Sequence, residues 1–135
     1  MTRARDLANL ADSAVDIESA WTTYTPVLTA QSGSFTTATV TGRYKRIGKL
    51  CIVQNRVTIT TNGTAGAGVF VTAPFTAGGS SQTYNGTGRE NAVTGNQLTT
   101  RIADGENQII IGKYDGAYPG ANGYRLDITT IYETV

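Results

Sequence analysis

Histidine is missing altogether from these 135 residues, and there is one cysteine, Cys51, and one methionine, Met1. Without imidazole there is no Ser-His or Cys-His pair to activate a nucleophile and no nitrogen ligand for zinc. No metal site and no cofactor is expected. A lone thiol cannot close an intrachain disulfide, so Cys51 says nothing about redox compartment and reads as a small core or edge residue. Charged residues make up only 16% of the chain and the net charge is +1. That balance carries no electrostatic footprint for nucleic acid, which requires clustered Lys and Arg. Long apolar runs are also missing, so no membrane insertion is expected. Arg3 and Arg5 are followed by Asp6 and Asp12 rather than by an apolar stretch, so a secretory leader is not expected either.

What is abundant is threonine, glycine, serine and asparagine, with 16 glycines. Threonine suits pleated, half-buried surfaces, and Gly with Asn suits tight turns. Runs such as Thr36-Thr37, Thr60-Thr61 and Thr129-Thr130 fit poorly in helices, where β-branched side chains lose χ1 freedom. The expectation is a mainly β protein.

Residues 3–20 are the exception, with no Gly, Pro or aromatic residue and an Ala-, Leu- and acid-rich composition that predicts helix. Leu7, Leu10, Ala14, Ile17 and Trp21 are spaced alternately three and four apart, which is the a/d seam of a coiled coil. A helix of that length runs about 27 Å and is marginal alone in water. It can lay its stripe on its own β domain or on two further copies at a symmetry axis. The narrow seam, flanked by Asp6, Asn9, Asp12, Ser13 and Asp16, favours the homotrimer. Residues 1–21 are therefore expected to form a helix for trimerisation or docking, and 22–135 a β head.

Beyond Trp21 the pattern predicts strands near 24–30, 35–46, 50–61, 68–74, 82–90, 97–103, 107–114 and 124–133, separated by Gly- and Asn-rich turns. Val57 and Ile59 alternate with Thr58 and Thr60, and Leu126 and Ile128 with Asp127 and Thr129. Leu50-Cys51-Ile52-Val53 is apolar on both faces, which predicts a strand covered on both sides. Short strands with regular turns and one helix imply an antiparallel β-sandwich, jelly-roll-like, behind a short coiled-coil helix.

Catalytic chemistry has little to draw on. Paired carboxylates could cleave glycosides, with Glu90, Asp104, Glu106, Asp115, Asp127 and Glu133 as candidates, but Asp104-Gly105-Glu106 reads more simply as a hairpin turn. The chain is expected not to be an enzyme. Gly63-Thr64-Ala65-Gly66-Ala67-Gly68 lacks the Lys-Ser/Thr ending of a phosphate loop. Asn62-Gly63-Thr64 and Asn85-Gly86-Thr87 match the glycosylation pattern but read as turns. The basic run Arg43-Tyr44-Lys45-Arg46 reads as a solvated strand end or a contact to an acidic neighbouring subunit. Residues 113–124 combine Tyr114, Tyr118 and Tyr124 with Asp115, Asn122 and three glycines. Aromatic rings stack on sugar faces and polar groups bond hydroxyls, so this is a candidate receptor-binding loop for a host surface glycan. The alternative is a hairpin tip whose tyrosines pack on the head.

The segment Trp21-Thr-Thr-Tyr-Thr-Pro-Val-Leu-Thr-Ala-Gln-Ser-Gly, with Thr41-Gly-Arg-Tyr-Lys-Arg-Ile-Gly-Lys, Val57-Thr-Ile-Thr-Thr-Asn-Gly-Thr and the closing Gly123-Tyr-Arg-Leu-Asp-Ile-Thr-Thr-Ile-Tyr-Glu-Thr-Val, resembles phage tail-fibre and virion-appendage modules. The resemblance covers roughly 21–75 and 107–135 and leaves about 76–106 unmatched. It implies a trimeric β-structured head in a bacteriophage virion, contacting other proteins of the tail, baseplate or capsid. Some such modules attach to the host cell and others are structural. The motifs carry no binding residues that transfer to this chain. Unlike a full tail fibre, the chain begins at Met1 with no long shaft, which favours a short fibre or, alternatively, a capsid cement or decoration protein.

Overall fold

A computed structural model describes residues 2–18, 20–79 and 81–135, with the side chains of all of these except 2 and 12–18. Helix α1 spans Thr2–Glu18. Nine strands follow: β1 Thr22–Tyr24, β2 Leu28–Ser32, β3 Thr37–Ile47, β4 Leu50–Thr61, β5 Gly66–Thr72, β6 Thr83–Glu90, β7 Gln97–Ala103, β8 Gln108–Lys113 and β9 Arg125–Glu133. The mainly β, antiparallel expectation holds, and most strands fall within two residues of where alternation places them. One does not. The strand expected at 24–30 is two strands, β1 and β2, because Pro26 lacks the N–H a continuous ladder needs.

That break organises the fold. All nine strands belong to one continuous sheet in the order β1-β3-β4-β9-β6-β7-β8-β5-β2. Laid flat at the usual strand spacing, such a sheet would measure about 38 Å between its edges. The edge strands β1 and β2 are joined by Thr25, Pro26 and Val27, a link that spans at most about 14 Å. The sheet must curl until its edges face each other. Polar contacts hold the seam. Tyr24 Oη donates to the Thr72 carbonyl at 3.0 Å and accepts from Asn55 Nδ2 at 2.8 Å. Thr72 N donates to the Val27 carbonyl at 3.0 Å, and Val27 N donates to Thr72 Oγ1 at 2.8 Å. Burial pushes the Tyr24 phenol up to about 12, so the clasp stays protonated at any physiological pH.

Curling encloses the inner side chains. Cys51, Val53, Val57 and Ile59 of β4, Val69 and Val71 of β5, Ile109 and Ile111 of β8 and Leu126 of β9 are fully buried, as is Leu98 of β7. Complete burial of each aliphatic group is worth roughly 1.5–3 kcal/mol, so this inner face is the main stabilising element. Strand β6 contributes no side chain at Gly86 and Gly88. Across the space left at Gly86, Thr100 Oγ1 of β7 and Thr130 Oγ1 of β9 share a buried 2.6 Å hydrogen bond. Tyr132 is the one fully buried aromatic residue among those described, and its hydroxyl donates to the Phe75 carbonyl at 2.9 Å.

One sequence expectation is modified. Within one chain, β4 is covered on one side only: Cys51 and Val53 are buried, but Leu50 is 43% exposed, and Ile52 faces outward opposite Ile131, which is 48% exposed. Helix α1 meets the sheet at β3, and it does not lay its stripe on the head at Leu7 and Leu10, which are 67% and 66% exposed. Of the other seam positions, Trp21 is half-buried beneath the Arg43 guanidinium, 4.8 Å above its ring. The side chains of Ala14 and Ile17 lie outside the described residues.

Candidate functional site

Two regions merit attention: the 113–124 loop and the outer face of the sheet. The loop follows β8 and returns to β9 by tying itself to the β4–β5 turn. Tyr118 Oη donates to Asn62 Oδ1 at 2.6 Å, and Asn62 N donates to Asn122 Oδ1 at 2.7 Å. Asp115 Oδ1 accepts from Ala117 N at 3.0 Å, capping the local turn. The Tyr118 ring packs beside Gly120, where an added Cβ would lie 2.6 Å from the phenol oxygen. Burial raises the Tyr118 pKa. Tyr118 and Tyr124 pack against the core cluster, while Tyr114 is 77% exposed. The five residues therefore do not converge on one open face: four hold the loop or the core, and Tyr114 presents a free ring. Tyr118→Ala is expected to lower stability by about 2 kcal/mol through lost packing and an orphaned Asn62, whereas Tyr114→Ala should stay within about 0.5 kcal/mol. Thermal melts of the two variants decide it, and equal melting temperatures would contradict this placement.

On the outer face, register brings together residues far apart in sequence. Thr23, Arg43, Gln54, Thr129 and Thr87 align across β1, β3, β4, β9 and β6, and beside them Thr41, Arg56, Asp127 and Arg89 form a second row. Between the rows runs an open groove of about 780 Å³. Its one carboxylate, Asp127, accepts from Arg56 Nε at 2.6 Å, Arg125 Nε at 3.3 Å and Asn91 Nδ2 at 2.8 Å. Burial alone would raise its pKa, but these donors and charges hold it below the ordinary carboxylate value. Arg43 and Arg89 have no carboxylate partner among the described residues. Arg43 is oriented by Trp21 and by its Nε–H donating to Gln54 Oε1 at 2.8 Å. Arg89 lies over Gly95, where a Cβ would come within 2.8 Å of Nη2, and φ there is +70°. Only glycine fits that position without strain.

The turn under Arg89 is itself anchored by Glu90. This carboxylate is fully buried, and it accepts from the backbone N–H groups of Ala92 at 2.7 Å, Val93 at 2.9 Å, Thr94 at 2.5 Å and Arg125 at 3.0 Å, and from Thr94 Oγ1 at 3.0 Å. Burial would raise its pKa, but the four backbone donors outweigh that and hold it at about 2. Glu90 faces inward and Asp127 outward, so these two of the candidate acids do not share a cleft. Asp104 caps Ser81 N at 2.6 Å. Among the described residues no group of three or more His, Cys, Asp or Glu is placed to hold a metal.

The basic run 43–46 is split by the pleat. Arg43 and Lys45 face outward, while Arg46 lies over the Phe75 ring at 4.7 Å and donates from Nη2 to Thr134 Oγ1 at 3.1 Å. The groove itself is not legible from local sequence. Arg43, Arg56, Arg89 and Asp127 each occupy an outward position, and that alternation is the only local signal. The chain matches no known protein-family model, no curated protein and no solved structure. No helix is long and apolar enough to cross a membrane among the described residues.

Proposed function

We propose that this chain is a non-enzymatic structural component of a bacteriophage particle: a short homotrimeric tail fibre whose helices join three copies and dock on the virion, and whose β head faces the host surface. In this reading the curled sheet acts as a two-layered, sandwich-like head and α1 as one strand of a coiled coil. The observation that carries it is the exposure of Leu7 and Leu10 at heptad spacing, on a helix that leaves them uncovered by its own head. Two leucines left in water on a short helix are unfavourable unless another surface covers them. Identical helices at a three-fold axis supply that surface. The sequence resemblance to fibre and appendage modules supplies the particle.

The test is a reconstruction of intact particles made with wild-type chain and with Leu7→Asp/Leu10→Asp. Wild-type protein is expected as three-fold density at the tail or baseplate, and the double variant should be missing from purified particles. Density spread over the capsid lattice would replace the fibre by a cement protein. Normal incorporation of the double variant would remove the helix as the anchor.

A further inference from the structure

The outer-face groove carries two guanidinium groups without a carboxylate partner among the described residues, and between them lie hydroxyls, an amide and the paired Arg56 and Asp127. Arg43 stands on β3 and Arg89 on β6, three strand spacings apart, or about 14 Å. Between them lie Thr41, Gln54, Thr129 and Thr87. Asp127 does not cancel these charges, because Arg56 and Arg125 already pair with it. The Arg43 guanidinium is held by Trp21 and Gln54, and that of Arg89 lies against Gly95 of the Glu90-anchored turn. Holding Arg43 beforehand reduces the side-chain entropy lost when an anion binds there.

From this arrangement the geometry points to a binding site for an acidic polysaccharide, a uronate-bearing chain laid across β3, β4, β9 and β6. Its carboxylates pair with Arg43 and Arg89, each able to bind one in bidentate fashion. Its sugar hydroxyls exchange hydrogen bonds with the threonines and Gln54. Single-stranded nucleic acid fits less well, since such binding draws on successive aromatic platforms and no aromatic side chain lines the groove. The inference deepens the host-contact part of the proposed function. It rests on that reading for the direction the head faces, but its test uses the purified chain alone.

The experiment is calorimetric titration of the full chain with an oligogalacturonate, a neutral maltooligosaccharide and an oligothymidylate of similar charge, at low and raised salt. Oligogalacturonate should bind and weaken with salt, and the neutral sugar should not bind. The Arg43→Ala/Arg89→Ala double variant is expected to lose affinity about tenfold, with its melting temperature unchanged. Should that variant melt early, Thr87→Glu decides instead: a carboxylate on the groove floor abolishes uronate binding if the site is as described. No binding by wild type, equal binding of the neutral sugar, or undiminished binding by a folded variant each overturns the inference. Tighter binding of oligothymidylate, competing with the uronate, would reassign the groove to nucleic acid. Sedimentation of the same samples reports assembly separately, so loss of the trimer and loss of the ligand site are distinguishable.

Discussion

Glu90→Ala should be among the most destabilising single substitutions in this protein, costing about 3 kcal/mol because the backbone donors of the following turn and of Arg125 lose a buried, charged acceptor together. Typical domains have only about 5–15 kcal/mol in total, so a large drop in melting temperature is expected. The same carboxylate gives stability a defined acid limb. Its folded-state pKa is about 2, below the ordinary 4.5, so its contribution is fully present above pH 4.5 and is lost as pH falls towards 2. Glu90→Gln should melt lower than wild type at neutral pH and show a flatter pH dependence across that window. Urea titrations of the three proteins at neutral and acidic pH check both statements. Parallel wild-type and Gln profiles would show that Glu90 does not carry the acid limb.

Gly86→Val is expected to be comparably severe, on the order of 3 kcal/mol. A Cβ at Gly86 would run into Thr100 Oγ1 and the Thr129 carbonyl, and would lie 2.9 Å from Thr130 Cα. Two of these are backbone atoms of the neighbouring strand and cannot swing away. The Thr100–Thr130 hydroxyl bond that crosses the glycine would break, leaving two buried hydroxyls without partners. Gly48→Ala provides the contrast: nothing lies within 4 Å of its added Cβ, although φ there is +58° and some backbone strain remains. Equilibrium unfolding separates the two, and a Gly86→Val protein as stable as Gly48→Ala would mean that β6 is not packed as closely as described.

Both effects trace to features that local sequence reveals unevenly. Strands β4 and β9 are legible because Val57, Ile59, Leu126 and Ile128 alternate with polar neighbours, and a side chain's face depends only on its own strand's period. The β3–β4 hairpin is legible from Ile47-Gly48-Lys49 for the same reason. Strand order is not, because the β4–β9, β6–β9 and β5–β8 pairs join segments separated by long stretches of chain. The groove is assembled from the β4–β9 and β6–β9 pairings, so Arg43 and Arg89 share one face only in the folded chain. The 113–124 loop shows the reverse case. Its composition suggests an open sugar platform, but Asn62, far earlier in sequence, ties Tyr118 and Asn122 to the β4–β5 turn. Glu90 looks like any other acid until its surrounding amides are counted.

The proposed assembly depends on α1, and sedimentation equilibrium of the full chain at micromolar concentration is its sharpest test. Trimerisation through α1 predicts a single species of three times the 14.2 kDa protomer mass, converted to a lighter one by Leu7→Asp/Leu10→Asp. A wild-type chain that sediments at 14.2 kDa would contradict it.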